Sequence, residues 1–154
     1  MKFIQFAISL CLAFGASACV GASTPEPLPR YSFQIEDNPD QRRFDLAIVS
    51  EDSRLLCVYV DYWPNPLGEL DEGSVRSSLE SDSGVLAGKD GVFGYAPTGW
   101  PVFVIVPSSS LSGFISYSSF GDPDTISKLV NRRLIFSVGP EVCTRSMLKK
   151  RFKG

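Results

Sequence analysis

Phe44-Asp45-Leu46-Ala47-Ile48-Val49, a turn at Ser50-Glu51-Asp52-Ser53, and then Leu55-Leu56-Cys57-Val58-Tyr59-Val60-Asp61 decide the fold class. Both apolar runs are short and rich in β-branched residues, and a turn cluster divides them. That combination reads as two consecutive strands. The second run is the most apolar in the chain. Trp63-Pro64-Asn65-Pro66-Leu67-Gly68 ends it, because proline cannot donate to a central ladder.

The pattern extends outward in both directions. Tyr31-Ser32-Phe33-Gln34-Ile35-Glu36 alternates apolar and polar side chains, the period of a half-buried strand, and Asp37-Asn38-Pro39-Asp40 turns the chain. Further strands are expected at 101–106, 113–117 and 133–138. Residues 69–92 are rich in Glu, Asp, Ser and Gly, with apolar side chains at Val75, Leu79, Val85 and Leu86, and read as one or two edge strands among long loops. Asp122-Pro123 has the form of an N-cap followed by proline at the first helical position, and Ile126, Leu129 and Val130 share a face. A short helix is therefore expected within 122–131. The sum is an all-β chain, expected to be an antiparallel two-sheet sandwich of immunoglobulin-like kind over 31–147, with a basic tail at 148–154.

The N-terminus carries an address. In MKFIQFAISLCLAFGASACVGAS (1–23), Lys2 precedes an apolar run from Phe3 to Phe14, and small residues follow from Gly15 to Ala18. This is the order of a secretory signal, expected over 1–18. The run is shorter than the ~20 residues of a membrane-spanning helix. Residues 20–30, VGASTPEPLPR, hold three prolines and few bulky apolar side chains, so 19–30 is expected to be a disordered tether.

Ala16-Ser17-Ala18-Cys19 resembles the lipobox of bacterial lipoproteins. The resemblance implies that Cys19 receives a diacylglyceryl group, becomes the new N-terminus and anchors the chain to a membrane. With Val20 rather than Asp after the cysteine, it also implies outer-membrane sorting, facing the periplasm. Two ordinary signal-peptidase sites stay open: Ala16-Ser17-Ala18, cutting before Cys19, and Val20-Gly21-Ala22, cutting before Ser23. Either would give a soluble periplasmic or secreted protein.

The cysteines fit export. Of the four, Cys11 leaves with the signal and Cys19 is the lipidation candidate, which leaves Cys57 and Cys143 as an even pair and an expected disulfide. No histidine occurs, so serine–histidine and cysteine–histidine catalysis and His-containing zinc sites are excluded. The chain has 15 Lys and Arg against 17 Asp and Glu, unevenly spread. Residues 144–154 contain Arg145, Lys149, Lys150, Arg151 and Lys153 with no acid, so an acidic domain ends in a basic tail. Lys149, Lys150, Arg151 and Lys153 are candidates for contact with an anionic surface such as lipid headgroups. Nucleic acid is not an expected partner outside the cytoplasm.

Other motifs are weak. Ser146-Met147-Leu148-Lys149 matches the Ser-x-x-Lys nucleophile motif, but one such match is expected by chance in so serine-rich a chain, and no Ser-Asp-Asn or Lys-Thr-Gly partner accompanies it. The acidic loops around Glu69, Asp71, Glu72, Glu80 and Asp82 lack the spacing of a calcium loop. Tyr62, Trp63 and Trp100, beside strand-ending prolines, form the candidate partner patch, with packing under loops as the plainer reading. The expectation is a non-enzymatic envelope lipoprotein with no catalytic residue, metal or cofactor, presenting its domain to an envelope protein or glycan. The alternatives are a soluble inhibitor or binding module and, less favoured, a small hydrolase.

Overall fold

The computed structural model describes residues 26–91 and 101–150. In chain order the elements are β1 (Tyr31–Asn38), β2 (Arg43–Ser50), β3 (Leu56–Tyr59), α1 (Gly73–Arg76), β4 (Ser77–Ser81), β5 (Gly84–Ala87), β6 (Val102–Ile105), β7 (Ser110–Ser116), α2 (Pro123–Ser127), β8 (Arg133–Phe136), β9 (Glu141–Val142) and α3 (Arg145–Leu148). Single 3₁₀ turns occupy Pro39–Gln41, Val60–Tyr62 and Tyr117–Ser119. The chain is all-β in character, and its helices are single short turns.

Among the described residues the strands form three small antiparallel sheets, β1-β2-β7, β6-β3-β9 and β5-β4-β8, where the sequence led us to expect two. The reason is strand length. β8 stops at Phe136, and Pro140 follows before the chain re-enters a different sheet as β9. A proline there cannot continue the β8 ladder.

β2 shows how the sequence positions the core. Its burial alternates along the strand, turning Phe44, Leu46 and Ile48 inward. The register places Phe33 and Leu111 on either side of Ile48, and Ile115 beside Phe44, so one face of the β1-β2-β7 sheet is apolar. That face meets Leu56 and Val58 of β3, Ile105 of β6, Leu79 of β4, and Leu134 and Phe136 of β8 in one hydrophobic cluster. β3 is buried on both faces, which explains its unbroken apolar run. Leu56 and Val58 face the main core, while Cys57 packs with Val102 and Met147 on the far side. There Cys57 and Cys143 are joined by a disulfide.

Both chain ends of the domain are tied down. Residues 26–30, expected to belong to a free tether, are held by Arg54. Its guanidinium donates to Glu26 Oε1 at 3.0 Å, Pro27 O at 3.1 Å and Leu28 O at 3.3 Å, and also to both oxygens of Asp52 at 2.8 Å. Asp52 in turn accepts the Arg30 backbone N–H at 3.0 Å. The side-chain hydrogen bonds from Arg54, followed by the backbone N–H groups of Arg54 and Arg30, hold this carboxyl well below the usual carboxylate range. At the other end, Thr144 caps α3, Met147 is buried, and the Lys150 carbonyl accepts the Val102 N–H at 3.2 Å. The basic tail is thus attached to β6 as far as residue 150. The expected helix near 122–131 is present but shorter, over Pro123–Ser127, with the Asp122 side chain accepting the Thr125 N–H.

Candidate functional site

The end of β3 builds the site. Val60–Tyr62 turns the chain out of the sheet, and Trp63 donates its backbone N–H back to Val60 O at 3.1 Å. The prolines at 64 and 66 then give a stiff loop. Asn65 closes it by accepting the N–H groups of Leu67 at 2.8 Å and Glu69 at 3.0 Å. Gly68 sits at φ +76°, and any β-carbon there would lie 2.5 Å from Phe114 Cε2, so this position requires glycine. Its carbonyl accepts the Ser116 N–H at 2.9 Å and the Ser119 hydroxyl at 3.1 Å, which ties the loop to the end of β7. The loop therefore lays Trp63 across Gly113, where a β-carbon would come within 2.7 Å of the indole Nε1.

Between this loop and strands β6 and β7 lies a groove of about 540 Å³. Its walls include Trp63, Pro64, Pro66, Phe103, Leu111 and Phe114, and its acidic groups are Asp61 and Asp71. Asp61 is the unusual member. Its Oδ2 is buried and has no hydrogen-bond donor among the described residues. Burial pushes its carboxyl pKa up, and the nearby charges of Asp71 and Glu72 add to that, while Arg76 opposes it. Arg76 pairs with Glu72 at 3.1 Å and lies over the Tyr62 ring, 3.4 Å from its centroid, while its Nε is buried without a partner among the described residues. An apolar groove with a perturbed acid in its wall is the kind of place where ligand sites are sought first. A wider depression of about 640 Å³ on the outer face of β1-β2-β7 is more open, and there Arg43 and Asp45 neutralise each other at 2.7 Å.

The sequence-derived candidates fall differently. Trp63 is only 4% exposed and packs against the Phe136 ring at 6.2 Å, so it is a core residue with one edge on the groove rather than an exposed stacking platform. Tyr62 is half-buried, edge-on to Tyr59 at 5.6 Å and covered by Arg76. Trp100 and Cys19 lie outside the described residues, as do Arg151 and Lys153. The residue after Trp100, Pro101, accepts the Val60 N–H at 3.0 Å. Lys149 and Lys150 are exposed at the end of α3. The Ser146 hydroxyl is paired with Thr144 in the cap of that helix, at 2.8 Å. Asp61 was not singled out from the sequence. The available signal was an acid closing the most apolar run just before Trp-Pro.

A second polar cluster lies opposite. The Tyr117 side chain is wholly buried, donates its hydroxyl to Asp37 and lies below Arg132, whose Nε is 2.7 Å from the other Asp37 oxygen. Arg132 also donates to the carbonyls of Ser127 at 2.7 Å and Leu129 at 3.2 Å. This network joins β1, the 3₁₀ turn after β7 and the approach to β8, with Arg132 Nε held to Asp37 as an ion pair rather than a well-aligned hydrogen bond. Burial, followed by the hydrogen bond to Asp37, pushes the Tyr117 pKa up to about 12. The neutral phenol is the form that folding favours. Its stabilising contribution is complete below the ordinary value of 10.0 and is lost as pH rises through about 12. An ultraviolet pH titration should show a tyrosine step near pH 12 that disappears in Tyr117→Phe.

Among the described residues, no group of His, Cys, Asp or Glu is placed to hold a metal ion, and no helix is long and apolar enough to cross a membrane. Comparison of the chain with protein families, with curated proteins and with solved structures finds no match.

Proposed function

We propose that this protein is a non-enzymatic bacterial envelope lipoprotein, anchored through Cys19, whose β domain binds a partner at the groove beside Trp63. The carrying observation is the Cys57–Cys143 disulfide. Such a bond persists in oxidising compartments and is rare in the cytosol, which supports export. With that pair spoken for and Cys11 inside the signal, Cys19 is the one mature cysteine left for lipid. The groove supports a binding role: it is concave, largely apolar and built on short strands and a proline-stiffened loop. The absence of histidine removes the commonest general base. The domain is further read as an immunoglobulin-like sandwich, with β1-β2-β7 as one layer and the other two sheets as the second. The core shared by all three sheets supports that reading.

Metabolic labelling with a clickable palmitate in a bacterial host tests the anchor. The wild-type chain is expected to take up label and partition with membranes, and Cys19→Ala to lose both. An unlabelled wild-type chain recovered in the soluble periplasmic or secreted fraction would favour the alternative, a soluble binding module with the same domain.

A further inference from the structure

We propose that the groove binds an extended peptide segment of a partner protein that presents a lysine or arginine side chain between apolar neighbours, with the cationic head against Asp61. This inference rests on the reading of the domain as a binding module and names the chemistry of its ligand. Three observations carry it.

The first is charge. Asp61 and Asp71 both line the groove, and Glu72 adds negative charge beside Asp61. The nearby cation, Arg76, pairs with Glu72 and lies over the Tyr62 ring, and no hydrogen bond joins it to Asp61 among the described residues, although its Nε is itself buried without a partner. Carboxylates lining a largely apolar groove are complementary to an ammonium or guanidinium group, which can give them a charge-assisted hydrogen bond.

The second is the walls. Trp63, the two prolines, Phe103, Leu111 and Phe114 offer aliphatic and aromatic surface. They suit the methylene stem of a lysine or arginine and the apolar side chains next to it. The volume of about 540 Å³ is of the size that takes a few side chains.

The third is what the groove lacks. Its one side-chain amide, Asn65, gives its oxygen to the Leu67 and Glu69 N–H groups and donates to Glu69 Oε2 at 3.2 Å. A neutral sugar needs several free polar groups and finds few here. A divalent cation needs converging carboxylates, and the described acids do not supply such a group.

The test uses the purified full-length chain and the peptide acetyl-Ala-Phe-Lys-Phe-Ala-amide, with binding followed by calorimetry and by tryptophan fluorescence. Saturable binding is expected. It should be retained when the peptide's lysine is replaced by arginine. It should weaken at least tenfold when that lysine is replaced by norleucine, and at least tenfold in Asp61→Asn. Thermal unfolding of Asp61→Asn checks that the fold is intact. Asp61→Glu, which keeps the charge, should recover part of the binding. The proposal is overturned if the peptide does not bind, if the norleucine peptide binds as well as the lysine peptide, or if folded Asp61→Asn binds as wild type. A partner or neutral oligosaccharide bound equally by wild type and Asp61→Asn would also overturn it, while leaving the binding-module reading in place.

Discussion

Trp63→Ala is expected to destabilise the domain by about 3–5 kcal/mol, the range for removing a large buried aromatic side chain. The indole is almost fully buried, touches the Phe136 ring and rests on Gly113, where no side chain could fill the space it would leave. The proline-bearing loop on one side and the ladder to β2 on the other limit collapse of β7 into that space. Equilibrium unfolding in urea should show a clear fall in midpoint with little change in slope. A loss under about 0.5 kcal/mol, the level usual for exposed sites, would return Trp63 to the surface patch that the sequence suggested.

Breaking the Cys57–Cys143 disulfide is the second large effect. It closes a loop of 86 residues, and losing such a bond costs about 2–5 kcal/mol. Its position makes the loss uneven. Cys57 lies in the central strand of β6-β3-β9, whereas Cys143 follows a two-residue strand held to β3 through Leu56 and Cys57. Without the bond, residues 141–150 keep that short pairing, the Cys143 N–H to Leu55 O contact at 2.9 Å and the buried Met147. Cys57→Ala with Cys143→Ala, or reduction of the native protein, should therefore lower the unfolding midpoint. Amide hydrogen exchange should rise first over 141–150. An unchanged midpoint together with unchanged exchange there would show that the bond contributes nothing to the fold.

The parts of the fold that were legible are those where one side chain type settles the question. β2 was readable because Phe44, Leu46 and Ile48, three of its four inward positions, are large and apolar, Ser50 being the fourth. The disulfide followed from counting cysteines, and the cap of α2 from Asp122-Pro123. β4 was obscure because Leu79 is its only core side chain, and the serines and glutamate around it look like loop. β7 begins at Ser110, earlier than expected, because Ser110, Ser112 and Ser116 pair with outward-facing positions of β2. β9 is two residues long and exists through its partner β3, so no local pattern could announce it. Beside the groove, tryptophan next to proline was read as part of an exposed patch, and the ring is instead buried. Proline ended the strand as expected, but the loop folded back onto β7 and buried the ring. Asp61 stayed hidden because its isolation depends on neighbours brought together from β6, β7 and the loop.

The Arg54 clamp also sets a leash. If Cys19 carries the lipid, only residues 20–25 separate the bilayer-bound residue from Glu26, where the clamp begins. Fully stretched at roughly 3.3–3.6 Å per residue, the seven steps from Cys19 to Glu26 span at most about 25 Å. The domain would then hover within one protein diameter of the membrane, so a partner would have to come to the bilayer surface to reach the groove.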